Sequence, residues 1–205
     1  MLFRSLAVQE TFERGRDAGW DGAMLNELAG LYFRIRGGLG YRKSVAEFGA
    51  FPSDPYSHTP GDGGARQPGM TGQVKEEILT RLGELGVRID GGEVRFAPAL
   101  LEKSEFLDEP REFIYRDTSG RCQALSLQAG ELAFTLCQTP VVYRLGEGSA
   151  GLIVTFADGG TKVRQGNRLG TSLSRELFSR SGRLAVLRVE VAADSLDGWT
   201  PLAVE

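Results

Sequence analysis

The residues best suited to chemistry lie together in Pro52-Ser-Asp-Pro-Tyr-Ser-His-Thr-Pro-Gly-Asp-Gly-Gly-Ala-Arg-Gln-Pro-Gly-Met-Thr-Gly-Gln73. This stretch holds the chain's only histidine, His58, with Asp54, Tyr56, Arg66, Gln67 and the pair Thr71-Gly72. A helical pattern begins directly after it, at Val74. First-turn N–H groups of a helix have no intrahelical partner, and the helix dipole adds partial positive charge there. A glycine-bordered loop that brings a hydroxyl and a cation to such a point suits an oxyanion such as phosphate. Thr71 offers the hydroxyl, Gly72 an unshielded N–H, and Arg66 a forked cation. Each residue also has a plainer use. Thr71 can cap the helix, Arg66 can be a solvated loop side chain, and His58 can satisfy a loop carbonyl. Tyr56 and Tyr41 can line a sugar subsite or act as packing anchors. A lone histidine cannot build a histidine-based metal cluster, and no metal is expected.

Composition narrows the setting. At 205 residues, 41% hydrophobic and 25% charged, the chain can fold as one large domain or two small ones. Its net charge of −3 offers nucleic acid no basic surface, so nucleic acid is not an expected partner. No apolar run reaches the roughly 18 residues of a membrane span, and no signal-peptide pattern is present. No membrane partner is expected, and the compartment expected is the cytoplasm. Cys122 and Cys137 lack metal-ligand spacing, and buried, unpaired thiols are expected there. Leu2-Phe3-Arg4-Ser5 is also what a common sequencing-adapter end encodes in one frame. Met1 to Ser5 are therefore read either as an ordinary start or as a remnant that makes this the C-terminal piece of a longer protein.

The elements that must position the loop are helical before it and β beyond it. Leu6 to about Asp17 is charged and helix-compatible. Leu25, Leu28, Tyr32 and Ile35 recur at helical spacing and predict a helix from Gly22 to about Arg36, with Trp20-Asp21 as its entry and cap. Val74, Ile78, Leu82 and Leu85 predict another, capped by Thr71 and supported by Glu77 with Arg81. From Val87 the period changes to two. Asp90-Gly-Gly92 and Asp158-Gly-Gly160 mark hairpin turns. Strands are expected at 112–117, 121–128, 131–137, 140–145, 151–157, 161–165 and 184–192, with a helical turn at 174–178. Short strands between turn signals argue for an antiparallel sandwich. The expected class is α+β.

Motif order adds a resemblance. Asp54-Pro55-Tyr56, the loop with Arg66-Gln67 and Met70-Thr71-Gly72, the helix, then Leu85-Gly86-Val87-Arg88 and Phe96-Ala97-Pro98 resemble the cellobiose phosphorylase family. That family carries Glu-Pro-Tyr, Arg-Asn-Ser-Trp-Leu-Thr-Gly-Thr-Ala, a helix and Leu-Gly-Ile-Arg in the same order. The match covers roughly residues 52 to 98. Gly69 stands where the family has tryptophan, and Gln73-Val74 where it has Thr-Ala, which points to a distant relative, phosphorylase or hydrolase-like.

The resemblance implies the end of an (α/α)6 toroid over residues 1–104 and a C-terminal β-sandwich over 105–205. It implies inverting phosphorolysis of β-linked gluco-oligosaccharides, with inorganic phosphate as co-substrate and no cofactor. Thr71 and Gly72, with Arg66, are the implied phosphate-binding residues. Asp54, Tyr56, His58 and Gln67 are the implied substrate-binding residues. The catalytic acid is expected upstream of this chain; Asp21 lies too near the Thr-Gly loop to serve. An oligosaccharide is the expected partner, and a homodimer stays open. The alternative is a non-catalytic sandwich module that binds carbohydrate or protein.

Overall fold

The computed structural model describes residues 4–38, 71–146 and 151–196. The chain divides into two compact units, residues 1–83 with 198–205 and residues 84–197.

In the first unit, α1 (Arg4–Asp17) and α2 (Gly22–Gly38) form a helical hairpin, and α3 (Thr71–Glu84) follows. Ser5, Gln9 and Phe12 give α1 its buried side. α2 buries Leu25, Ala29, Tyr32, Phe33 and Arg36. Spacings of three and four residues keep such positions on one face. Tyr32 and Phe33 meet edge to face with ring centres 5.4 Å apart. As the sequence predicts, Asp21 starts α2: its carboxylate accepts from the Ala23 N–H at 3.1 Å, and its carbonyl from the Leu25 N–H. The Leu25, Leu28, Tyr32, Ile35 face is resolved more finely. Leu25 and Tyr32 are buried, whereas Leu28 and Ile35 are half-buried beside exposed Met24 and Leu31.

Of the apolar face expected on α3, Leu82 is half-buried and Leu85, just past the helix, is buried, but Ile78 points outward. Ile78 is 58% exposed and Leu79 48%, while Thr80 and Gly83 turn inward. Small inward residues let the helix approach α1 more closely than a row of large apolar side chains allows.

The second unit is β-rich and mostly antiparallel. β1 (Val87–Asp90) and β2 (Glu93–Phe96) form a hairpin across Gly91-Gly92, both at positive φ. β3 (Arg111–Arg116) and β4 (Cys122–Leu127) form a second hairpin. A five-stranded sheet takes β5 (Glu131–Leu136), β6 (Thr139–Gly146), β7 (Gly151–Phe156), β8 (Thr161–Gln165) and β9 (Leu184–Ala192) in the order β5-β6-β9-β7-β8. One face of this sheet is covered around Val142 and Val186, where Leu127, Leu125 and Phe113 of the β3–β4 hairpin pack. On the other, Val141, Tyr143, Leu152, Val154, Leu187 and Val189 are buried. Tyr143 makes edge-to-face contacts with Phe96 and Phe134, and its hydroxyl donates to the Leu85 carbonyl.

Several local expectations change. β6 and β9 run parallel, which requires a long crossover, and β7, β8 and the intervening α4 (Thr171–Ser179) supply it. The helical turn expected at 174–178 is this nine-residue helix. Cys137 is not in a strand: Cys137-Gln138 make the β5–β6 turn, both at positive φ. Both cysteines are free, but Cys122 is exposed and Cys137 half-buried, so neither is the buried thiol expected. Among the described residues, no helix is long and apolar enough to cross a membrane.

Candidate functional site

α3 begins at Thr71, so Thr71 and Gly72 are its first two residues. Their N–H groups belong to the set that a helix leaves without intrahelical partners. The first-turn residues of α3 include no Asp or Glu. Asp54, Tyr56, His58, Arg66 and Gln67 lie outside the described residues.

The helix carrying that pair is held at its other end. Gln9 of α1, only 3% exposed, donates its side-chain N–H to the Thr80 carbonyl at 3.1 Å. The Thr80 hydroxyl donates to the Glu77 carbonyl at 3.0 Å. The Glu77 carboxylate pairs with the Arg36 guanidinium of α2, which is 1% exposed. A guanidinium at that depth needs a countercharge, since an unpaired buried cation is costly. Gly83 lies so close to Gln9 that a Cβ there would run into the carboxamide. Beyond the helix, Gly86 takes φ +64, and a Cβ would overlap the Ala97–Pro98 peptide. Glycine is therefore required where the chain leaves α3 for β1.

A second polar constellation was not singled out from sequence. It joins three turns of the β-rich unit. The Asp117 carboxylate accepts from the Ser119 hydroxyl at 2.6 Å, the Ser119 and Arg121 N–H groups at 2.9 and 3.0 Å, and the Gln123 amide at 2.8 Å. These donors, Ser119 and then Gln123 foremost, hold the Asp117 carboxyl far below the usual carboxylate range. Burial and then the Asp117 charge push the Tyr115 hydroxyl up. Tyr115 stacks on Phe113, two residues back along β3, at 5.8 Å. Gln138 donates to the Asp117 carbonyl at 3.0 Å and accepts from Arg180 after α4. Glu176 accepts from the Ser181 hydroxyl and from Arg183, and both partners hold its carboxyl low. The Asp-Thr-Ser run at 117–119 is an Asx-turn signature, the signal that sequence reading had at hand.

Among the described residues, no group of His, Cys, Asp or Glu is placed to hold a metal ion. No family model matches the chain, and no curated protein does.

Proposed function

We propose that this chain is the C-terminal part of an inverting glycoside phosphorylase acting on β-linked gluco-oligosaccharides. In this reading the amino end of α3 is the phosphate cradle. The observation that carries it is the start of α3 at Thr71, where motif order requires a phosphate-binding turn. Helices followed by a β-rich unit agree with the end of an (α/α)6 toroid and a C-terminal sandwich, the finer architecture that we infer from the resemblance.

In such a reaction a carboxylic acid protonates the glycosidic oxygen while a phosphate oxygen attacks the anomeric carbon from the opposite face. The glycosidic C–O bond breaks, a C–O bond to phosphate forms, and the configuration inverts. Phosphate takes the place of the base-activated water of an inverting hydrolase. The acid belongs to a more N-terminal part of the toroid. The 205-residue chain alone should therefore show no turnover of an oligosaccharide. Sustained turnover by the purified chain would overturn this assignment.

The residue-level test is Thr71→Val in the parent enzyme. Losing a hydrogen bond to a charged oxygen costs about 1.5–3 kcal/mol, so the phosphate KM should rise roughly 10- to 100-fold. A helix cap alone would instead lower stability by about 0.5–2 kcal/mol and leave the phosphate KM in place. Measuring both on one variant decides between them.

A second reading, a non-catalytic carbohydrate-binding module, is favoured by the stacked Phe113–Tyr115 pair beside the hydrogen-bonded turns at Asp117 and Gln138. Titrating gluco-oligosaccharides into the chain tests it. Binding that Tyr115→Ala abolishes, with Thr71→Val without effect, would move the function to the β-rich unit.

A further inference from the structure

α2 carries two apolar seams, and among the described residues one of them is fully buried. Leu25, Ala29, Tyr32 and Arg36 follow a 4-3-4 spacing and are buried. One residue earlier, Met24, Leu28, Leu31 and Ile35 repeat that spacing on the open side. Met24 is 51% exposed and Leu31 38%, with Leu28 and Ile35 half-buried. Trp20, 42% exposed, extends this face into a shallow groove of about 210 Å³ flanked by Glu27 and Arg34. A 4-3-4 apolar seam is the spacing by which one helix packs along another.

The seam matches itself when reversed. In heptad terms Met24 and Leu31 are d positions, Leu28 and Ile35 are a positions, and Glu27 and Arg34 are both g. Antiparallel helices set a against d and g against g. Two copies of α2 then stack Met24 on Ile35 and Leu28 on Leu31, each twice by symmetry. Each Glu27 faces the Arg34 of the other copy beside a Leu28–Leu31 layer. The e positions, Leu25 and Tyr32, are buried within each copy and leave the g side open. We infer that this face binds a second copy of the chain, α2 against α2 and antiparallel, about a two-fold axis between Leu28 and Leu31. Met24 to Ile35 spans about three helical turns, so the contact is small and its population depends on concentration.

Sedimentation equilibrium of the 205-residue chain under reducing conditions tests this. Reductant prevents exposed Cys122 from forming disulfides between copies. A reversible monomer–dimer equilibrium is expected. Leu31→Lys, at a partly exposed position, should leave the circular dichroism unchanged and the chain monomeric. Glu27→Arg sets arginines against one another and should weaken the dimer at least 10-fold. Arg34→Glu should do the same with carboxylates, and the double exchange should restore association. A chain monomeric at every concentration would overturn the inference and mark the seam as one for a helix of different sequence. A dimer indifferent to Leu31→Lys, or unrestored by the double exchange, would also overturn it by placing the contact elsewhere.

Discussion

Gly83→Ala should destabilise the protein even though alanine is the better helix former. In an open helix the change gains about 0.5–1 kcal/mol, because glycine loses more backbone freedom on folding. Here the new methyl meets the Gln9 carboxamide, which is 3% exposed and donates to the Thr80 carbonyl at 3.1 Å. Displacing it breaks a buried hydrogen bond and strands a polar group, worth about 1–3 kcal/mol. The difference leaves a net loss of about 0–2.5 kcal/mol, centred on about 1 kcal/mol, which is roughly 2–4 °C in the melting temperature of a chain this long. Gln9→Ala removes the obstruction. On that background Gly83→Ala should become neutral or stabilising by up to about 1 kcal/mol. Urea unfolding followed by far-UV circular dichroism on the four-member cycle measures the coupling directly. An equal effect of Gly83→Ala in both backgrounds would refute the claim that Gln9 and Gly83 together set the approach of α3 to α1.

Other outcomes follow from the same reasoning. Gly86→Ala, at φ +64 against the Ala97–Pro98 peptide, should cost more than Gly83→Ala, because backbone cannot swing aside as a side chain can; comparative melting checks the order. Cys137→Asn should raise the melting temperature slightly, since asparagine tolerates positive φ better than cysteine. Gln138→Gly eases the same strain but should gain nothing, because it removes the tie between the Asp117 carbonyl and Arg180. Asp117 sets a pH dependence. Its folded carboxyl lies below the ordinary value of about 3.9, so the unfolded chain takes up that proton first as pH falls. The stabilisation is present above that ordinary value and is lost on acidification below it. The stability gap between wild type and Asp117→Asn should be largest near neutrality and shrink toward pH 3, as acid titration of unfolding would reveal.

What was legible in the sequence was what local chemistry decides. Gly91-Gly92 and the Asp158-Gly-Gly turn announce their hairpins because positive φ selects glycine. The switch of hydrophobic period separates the helical from the β-rich part, and Asp21 before Gly22 marks the start of α2. What was not legible depends on partners distant in sequence. Cys137 and Gln138 make a tight turn without turn-forming residues, so the break expected between residues 137 and 140 falls one residue late. The inward side of α3 is set by Gln9, which selects Thr80 and Gly83 over the apolar Ile78, while half-exposed Glu77 reaches back to the buried Arg36. The parallel pairing of β6 and β9 follows from which neighbour each strand finds across the sheet. Of the candidate site, the start of α3 could be anticipated only to within a few residues: the apolar period begins at Val74 with Thr71 as cap, whereas the helix takes in Thr71 and Gly72. The Asp117 cluster needed three turns that only the fold brings together.

The strand order also decides when the sheet can close during synthesis. β5–β6 and β7–β8 are hairpins, each able to pair locally as it leaves the ribosome. β9 lies between them and is made after both. Until residues 184–192 emerge, β6 and β7 each keep an unsatisfied edge where β9 will add, beside Val141, Tyr143, Leu152 and Val154. Joining elements far apart in sequence is slow, and open strand edges invite pairing with other chains. A ribosome paused before Leu184 would therefore hold two half-sheets, each ready to accept a strand from another nascent chain. Chaperone occupancy on translating ribosomes should peak in that interval and fall once β9 has emerged.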